Sequence, residues 1–379
     1  MIKGRSLNRR PLRANRVAAL LGLFIFMFVA QAHGQTALER YHVDATKITV
    51  SGISSGGAMA VQLGVAYSSV FSGVGVFAAG PYGCADAGDD ANLNLRRALG
   101  PCMAGRYEFL QRSWCNWFLA TCPGVDAPDV AGSIELARKK EAQHHIDPLA
   151  NLSRQSVFLL SGKEDKTVVP KVFDALASFY ETFVPSLQIE RVRPDGLAHT
   201  FPTDVFTRGN DCAVSKTPYV SDCDYDGAKQ VLSQLYGPLQ APSVSAAMTA
   251  VIKFDQRPFF PPGTSPGMAD SGYVYVPASC TGSSVAPGCG LHVALHGCEQ
   301  TTADIGMTFV EDAGYNRWAD ANRLIVLYPQ VKKTGGRFSD NPKGCWDWWG
   351  YTGAGWDDKR GVQLRAIMAM VKRLESPSP

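Results

Sequence analysis

The sequence carries little net charge of either sign, and that lack excludes a class of partner. Its 379 residues contain 37 lysines and arginines against 34 aspartates and glutamates, for a formal net charge of +3. The first 34 residues hold six of the cations and no acidic residue, so the rest of the chain is slightly acidic. Nucleic-acid binding depends on clustered positive charge, and we therefore expect no nucleic-acid partner. The 45% of hydrophobic residues also excludes a disordered or collagen-like chain.

Beyond the amino terminus, the sequence has no long apolar run. The uncharged stretch 17–30 follows the six cations and precedes small residues near Gly34. It is shorter than the roughly 20 residues that a membrane-spanning helix needs, and it has the pattern of a secretory signal. We therefore expect residues 1–34 to be a signal peptide and residues 35–379 to be a single domain. The mature protein is then predicted to be secreted or periplasmic, with no stable membrane insertion.

The sequence also lacks any Cys-x-x-Cys pair, so it gives no indication of a metal site, and we expect none. Its ten cysteines all follow residue 34. An even number of cysteines in an exported chain indicates disulfides. Proximity along the chain predicts three pairs: Cys115 with Cys122, Cys212 with Cys223, and Cys280 with Cys289. The pairing of four others stays open: Cys84, Cys102, Cys298 and Cys345.

Short apolar strands alternate with helices along most of the chain. This rhythm is typical of βαβ units and predicts an α/β fold with a mostly parallel central sheet and helices on both faces. Residues 84–122 break the rhythm and are predicted to form an irregular, disulfide-linked excursion. The predicted strands are 47–51, 75–78, 156–161, 187–192, 273–276, 291–296 and 324–328. The predicted helices are 55–67, 169–183, 315–321 and 361–374.

One motif predicts a nucleophilic serine. The run Gly52-Ile53-Ser54-Ser55-Gly56 has the form Gly-x-Ser-x-Gly and lies between predicted strand 47–51 and predicted helix 55–67. A tight turn of small residues between a strand and a helix lifts a serine hydroxyl above the end of a sheet, as a nucleophile elbow does. The alternative is an ordinary glycine- and serine-rich turn. Because of the strand–turn–helix context we favour the elbow, with Ser54 as nucleophile.

A serine nucleophile needs a base and an orienting acid, which follow it in this order in α/β-hydrolases: serine, acid, histidine. Asp165 comes directly after predicted strand 156–161, and His199 lies on the loop after the next predicted strand. Order and placement therefore predict Asp165 as the acid and His199 as the base. Three alternatives rank lower: Glu164 as the acid, and His144 or His145 as the base.

The oxyanion hole predicts a rearranged chain order. One N–H should come from Ser55, the residue after the nucleophile, and the other from a loop that follows a neighbouring strand. Predicted strand 291–296 ends in His-Gly and has that form, yet it lies far downstream of Ser54. Placing residues 270–374 ahead of residues 37–206 restores a conventional hydrolase order. We therefore predict a circularly permuted α/β-hydrolase fold, with the joint near 237–268.

Six segments carry a specific resemblance: GYVYVPAS, LHVALHGCEQT, ADANRLIVLYPQ, GCWDWWG, ITVSGISSGGAM and GLAHTFP. They resemble the poly(3-hydroxybutyrate) depolymerase branch of the esterases, in its circularly permuted single-domain form, over about residues 38–375. The resemblance implies an exported serine esterase that acts on poly(3-hydroxybutyrate), related short-chain polyhydroxyalkanoates or their oligomers, without metal or organic cofactor. It also implies that the second oxyanion donor is the Cys298 N–H. The sequence shows no separate substrate-binding domain and does not predict the oligomeric state.

A dense group of tryptophans is the candidate substrate wall. Four of the seven tryptophans lie within eleven residues, in a glycine-rich stretch without periodicity. Each one is more often core than surface, yet an aliphatic polyester suits an aromatic groove, so we expect one or two to line it. A carbohydrate esterase acting on acetyl or feruloyl groups is the alternative function, and a catalytically dead binding protein is a more remote one. The candidates are Trp346, Trp348, Trp349 and Trp356.

Overall fold

The computed structural model describes Met1 and residues 36–103, 127–205, 209–242, 249–281, 288–334 and 341–376. A division between two compact units falls after Gly34. The segment predicted as a signal peptide lies, apart from Met1, outside the described residues. No described helix is both long and apolar enough to cross a membrane.

Eight described strands form one central sheet: β1 (Val43–Ile53), β2 (Gly73–Phe77), β3 (Ser156–Leu160), β4 (Ile189–Val192), β8 (Ile252–Asp255), β9 (Ser271–Tyr275), β10 (Cys289–Leu295) and β11 (Leu324–Tyr328). Their order across the sheet is β4-β3-β2-β1-β10-β11-β9-β8. The run from β4 to β11 is parallel, and β9 pairs antiparallel with both β11 and β8. A mostly parallel sheet is therefore confirmed. A small parallel sheet adds β5 (Phe201–Thr203), β6 (Asn210–Asp211) and β7 (Val220–Asp222).

Helices cover both faces of the central sheet. Alternate residues of a strand point to opposite faces, and in β3 both sets are buried: Val157 and Leu159 lie in one core, Phe158 and Leu160 in the other. A strand buried on both faces is apolar throughout, which is why β3 shows no polar alternation. The helices are α1 (Ser55–Ala66), α2 (Ala91–Leu99), α3 (Val130–Ala142), α4 (Pro170–Glu181), α5 (Gly227–Tyr236), α6 (Thr302–Ile305), α7 (Thr308–Asp312), α8 (Tyr315–Asn322) and α9 (Val362–Glu375).

The order of strands confirms the circular permutation. Strand β1 pairs in parallel with β10, from Ile48 opposite Leu291 to Gly52 opposite Leu295, although more than 200 residues separate them. If counting starts at β8, the strands lie across the sheet in the order first, second, fourth, third, fifth, sixth, seventh, eighth. The two ends of the folded chain meet, because the Tyr41 N–H donates to the Leu374 carbonyl over 3.2 Å. Chain ends that meet in this way make a permuted order possible.

Several elements were not predicted. The expectation of an irregular segment at 84–122 was wrong for α2, while residues 104–126 lie outside the described part of the chain. Helix α2 buries Asn94 together with Ala98 and leaves Leu93 and Leu99 exposed, so its apolar residues are not confined to its inner face. Helices α3 and α5, strand β8 and the two- and three-residue strands of the small sheet were also missed. Strands that short cannot show an alternating pattern.

The disulfides match two of the three predicted pairs. Cys212–Cys223 and Cys280–Cys289 are bonded, which confirms both predictions. The predicted pair of Cys115 with Cys122 lies outside the described residues. Two further bonds join the cysteines whose pairing was open, Cys84 with Cys102 and Cys298 with Cys345. Among the described cysteines none is free.

Candidate active site

Ser54 lies at a strained turn between β1 and α1. Its φ of 57° and ψ of −121° are rare for a residue with a side chain. Its N–H donates to the Phe77 carbonyl over 2.8 Å, which ties the turn to β2. A Cβ on Gly52 would lie 2.3 Å from the Gly56 carbonyl oxygen, and one on Gly56 would lie 2.4 Å from the His296 carbonyl oxygen. Both glycines are needed for this close packing, which holds Ser54 beside the end of β10.

Asp165 and His199 are hydrogen-bonded to each other. Asp165 Oδ2 lies 2.8 Å from His199 Nδ1, and both residues are buried. The other carboxylate oxygen, Asp165 Oδ1, accepts the N–H groups of Thr167 and Val168, each at 2.8 Å. Because both oxygens are bonded, the carboxylate is fixed in the orientation that faces the imidazole ring. The two residues lie on the loops that follow β3 and β4, so they meet at the carboxyl edge of the sheet.

The loop that carries His199 is supported by the segment 212–223. The His199 N–H donates to Ser215 Oγ over 2.9 Å, and the Ala198 N–H donates to the Cys212 carbonyl over 3.0 Å. The Cys212–Cys223 disulfide closes that segment, and its strand β7 pairs with β5 directly after His199. No motif in the sequence identified Ser215 as a neighbour of His199, since the two residues are 16 positions apart in the sequence.

The oxyanion loop, defined as residues 296–300, follows β10 and lies against Ser54. A Cβ on Gly297 would lie 3.3 Å from Ser54 Cβ. Within the described part of the chain, the Ser55 and Cys298 N–H groups donate to no acceptor. Unpaired N–H groups are a usual feature of the first turn of a helix, where Ser55 lies. These two groups are therefore available to a negatively charged oxygen bound next to Ser54.

The alternative acid and bases lie elsewhere. Glu164 and His144 are exposed to solvent. His145 has its Nδ1 3.9 Å from Asp358 Oδ2, so its nearest carboxylate belongs to a different part of the molecule.

Among the described residues, no hydrogen bond joins the Ser54 hydroxyl to His199. In unliganded sites such bonds are often long and tighten only when substrate binds.

The tryptophan loop, defined as residues 344–356, is organised around a buried carboxylate. Asp347 accepts the backbone N–H groups of Trp349 at 3.3 Å, Gly350 at 2.7 Å, Tyr351 at 3.1 Å and Thr352 at 2.9 Å. Burial raises the pKa of Asp347, although these hydrogen bonds act in the opposite direction. The carboxylate therefore fixes the path of the loop by satisfying four successive amides.

Three of the four candidate tryptophans are core residues. Trp346 is fully buried, and its ring centroid lies 5.6 Å from that of His296. Trp349 and Trp356 are also buried, and only Trp348 keeps partial exposure. Of the four candidates, Trp348 is therefore the one that we still expect to contact substrate. The sequence alone could not predict which of the four is partly exposed, because all of them lie in the same glycine-rich stretch.

A serine at a strained turn after a central parallel strand, with a carboxylate-bound histidine on later loops, is the arrangement of an α/β-hydrolase. The chain has that fold in circularly permuted form. It is 39% identical over 351 residues to the polyhydroxybutyrate depolymerase of Talaromyces funiculosus. The matched region covers 90% of this chain and 93% of that protein. The chain therefore belongs to the poly(3-hydroxybutyrate) depolymerases, a family of serine esterases.

Other comparisons agree with this assignment. The chain is 38% identical over 363 residues to the poly(3-hydroxybutyrate) depolymerase of Delftia acidovorans, covering 95% of this chain and 66% of that longer protein. It matches the crystal structure of a PHB depolymerase from Penicillium funiculosum with a TM-score of 0.75 and 37% identity, covering 91% of this chain and 100% of that one. The same values hold for a serine-to-alanine variant of a PHB depolymerase complexed with an R3HB trimer. A scan against models of protein families finds no match.

Proposed function

We propose that this chain is an exported serine esterase that hydrolyses poly(3-hydroxybutyrate), related short-chain polyhydroxyalkanoates or their oligomers. The observation that carries the proposal is the buried pair of Asp165 and His199 beside the Ser54 turn, in a chain whose relatives are PHB depolymerases. A similar solved structure holds an R3HB trimer, which is an oligomer of the proposed substrate.

The geometry supports a two-step mechanism. Ser54 attacks the ester carbonyl while His199 takes its proton, and Asp165 orients and stabilises the resulting imidazolium. The negative charge that develops on the carbonyl oxygen is stabilised by the Ser55 and Cys298 N–H groups. Collapse of this intermediate breaks the ester bond, and His199 returns the proton to the departing alcohol. Water then attacks the acyl-enzyme with His199 as base, which releases the acid and restores Ser54.

The compartment and domain organisation belong to the same proposal. We assign residues 1–34 to a secretory signal and residues 35–379 to one catalytic domain, secreted or periplasmic. Four disulfides among the described residues support export, because such bonds persist in oxidising compartments. The partner of the site is then the polymer or its oligomers. We propose Trp348 as the tryptophan that contacts it, because the other three candidates are buried.

Product analysis with the purified mature protein tests the proposed function. Amorphous poly(3-hydroxybutyrate), acetylated xylan and short nitrophenyl esters are each incubated with wild type and with Ser54→Ala. We expect 3-hydroxybutyrate and its short oligomers from the polyester, nitrophenol from the small esters, and no acetate from the xylan. Acetate release from xylan with an untouched polyester would instead assign the chain to the carbohydrate esterases. No hydrolysis of any ester would point to a binding protein.

A further inference from the structure

We propose that Gln300 is a positioning residue that fixes the position of the oxyanion loop relative to the loop that carries His199. The inference rests on the proposed function, because it concerns the same ester hydrolysis at the same site. Gln300 does not touch the reacting atoms, and its effect on the reaction passes through the backbone of two loops.

The side-chain amide of Gln300 is buried, and both its oxygen and its nitrogen are hydrogen-bonded. Only 2% of the residue is exposed. Its Oε1 accepts the Gly297 N–H over 2.7 Å, while its Nε2 donates to the Tyr219 carbonyl over 2.9 Å and to the Pro218 carbonyl over 3.1 Å. One planar group therefore joins two separate segments of backbone, and neither segment is adjacent to the other in the sequence.

The acceptor half of this amide determines which N–H group of the oxyanion loop is free. Buried amides need acceptors, and Gln300 supplies one to Gly297, while the next amide, that of Cys298, stays unpaired in the described part of the chain. Gly297 has no side chain that would restrict its backbone, so its conformation depends on the bonds of its two peptide units. The unit that carries the Cys298 N–H is held by the contact of His296 Nδ1 with the Gly297 carbonyl oxygen at 2.7 Å, and the unit before it is held by Gln300. Gln300 thus helps to keep the Cys298 N–H in the orientation from which it can bind a substrate oxygen.

The donor half of the amide reaches the base. The Tyr219 carbonyl that Gln300 holds also accepts the N–H of Phe201, at 2.8 Å. Phe201 comes two residues after His199, and it also pairs with Val220 where β5 meets β7. The segment of the oxyanion donor and the segment of the base are therefore connected by the Gln300 side-chain amide and the Tyr219 carbonyl. A shift of that amide changes the distance between two groups that must act on one tetrahedral intermediate.

Gln155 provides a matched control for a purely structural glutamine. It is 1% exposed, and its Nε2 donates to the Gly64 carbonyl over 2.9 Å and to the Phe71 carbonyl over 3.0 Å. It precedes β3, at the amino end of the strand, whereas Asp165 follows the carboxyl end. The two glutamines are buried to nearly the same extent, and each donates to two backbone carbonyls, but only Gln300 adjoins the site.

The experiment compares Gln300→Met with Gln155→Met in the full mature chain. Thermal unfolding, kcat and KM on a soluble nitrophenyl ester, and the affinity for an alkyl boronic acid are measured for each. A boronic acid forms a tetrahedral adduct with the nucleophilic serine, so its affinity reports on the oxyanion hole. We expect Gln300→Met to lower kcat by about 10- to 100-fold, with the boronic-acid affinity falling in parallel and KM changing far less. Gln155→Met is expected to lose thermal stability and keep kcat within about twofold of wild type.

A second variant guards against misfolding. Gln300→Asn keeps an uncharged amide, one methylene shorter, that can both accept and donate, so we expect it to fold and to show a smaller loss of kcat than Gln300→Met. Folded Gln300 variants with wild-type kcat and boronic-acid affinity, or a loss of kcat equal to that of Gln155→Met, would overturn the proposal. Failure of the proposed function would give a different result. Wild type would hydrolyse nitrophenyl esters and leave the polyester intact, and the soluble ester would still measure the effect of the Gln300 variants.

Discussion

The disulfide between Cys298 and Cys345 joins the oxyanion loop to the tryptophan loop, 47 residues further along the chain. The next residue of the tryptophan loop, Trp346, donates its N–H to Ser55 Oγ over 3.3 Å. Both residues with an available oxyanion N–H are therefore in contact with the same loop, one through a covalent bond and one through a hydrogen bond. The shape of the proposed oxyanion hole therefore depends on a segment that contributes no group to the proposed chemistry.

Removing this disulfide should impair both stability and catalysis. Substituting Cys298→Ser together with Cys345→Ser should lower the free energy of unfolding by about 4 kcal/mol, as expected for a loop of this length. It should also lower kcat, since the Cys298 amide is no longer held. As a control, Cys280→Ser with Cys289→Ser removes a bond at the amino end of β10, away from Ser54, and should cost stability with kcat unchanged. Equal kcat in both double variants would contradict the coupling.

The acid can be tested against its sequence neighbour. Asp165→Asn keeps the shape of the side chain and removes the charge that faces His199, so kcat should fall by about 10,000-fold. Glu164→Gln, one residue earlier and exposed, should leave kcat at the wild-type value. A steady-state assay on a soluble ester is sufficient for both. A larger loss in Glu164→Gln than in Asp165→Asn would reverse the assignment.

Two buried histidines predict how stability depends on pH. Burial lowers the pKa of His292 to about 3 and that of His296 to about 4, from an ordinary value of 6.5. Above about pH 6.5 both are neutral in the folded and the unfolded chain. As the pH falls below 6.5, the unfolded chain binds protons that the folded chain cannot, so stability decreases down to about pH 4 for His296 and about pH 3 for His292. The slope is at most about 1.4 kcal/mol per pH unit for each histidine.

Urea unfolding between pH 4 and 8 measures that slope. In His292→Asn the slope below pH 6 should be smaller than in wild type by about 1.4 kcal/mol per pH unit. His292 bonds Thr49 Oγ1 at 2.7 Å and Ser51 Oγ at 2.8 Å, so the variant should also be less stable at neutral pH. If His292→Asn fails to fold, His296→Asn offers the same comparison. An unchanged slope in a folded variant would show that the histidine does not stay neutral.

The permuted order predicts that the chain can be reconnected. The carboxyl-terminal helix α9 contacts the start of the folded unit, where Arg373 Nε donates to the Leu38 carbonyl over 2.8 Å. A short linker from Ser376 to Thr36, with new termini between Ala241 and Pro242, should give a folded, active enzyme. Its far-ultraviolet circular dichroism and kcat should match wild type. Cutting near Gly263 without reconnection should leave two pieces that do not fold alone, because β1 and β10 would be separated.

Much of the fold followed from local sequence patterns. Strand β11 has the predicted bounds, and α1, β3 and β10 differ from prediction by one or two residues at their ends, since each is a continuous apolar or amphipathic run. The permutation was visible because one strand with the form of an oxyanion strand stood in an unusual position. Missed elements, such as α2 and the small sheet, are those whose residues give no regular pattern.

The site was only partly predictable for a related reason. Ser54, Asp165 and His199 each follow a strand, so their neighbourhood could be read from order alone. The contacts that hold them come from distant parts of the chain: Ser215 on His199, Gln300 on Gly297, and Cys345 on Cys298. Such pairs depend on how the strands are arranged, and proximity along the chain does not predict them. The same limit applies to the tryptophans, whose burial is set by the tertiary packing.

The most direct test of the account is the release of 3-hydroxybutyrate from amorphous poly(3-hydroxybutyrate) by wild type, Ser54→Ala and Ser178→Ala. Ser178 is exposed on α4 and serves as a control for the substitution itself. We predict that Ser178→Ala matches wild type, while Ser54→Ala keeps its fold and loses about six orders of magnitude in turnover. Retention of more than a few per cent of the activity by Ser54→Ala, in protein free of wild type, would contradict the account.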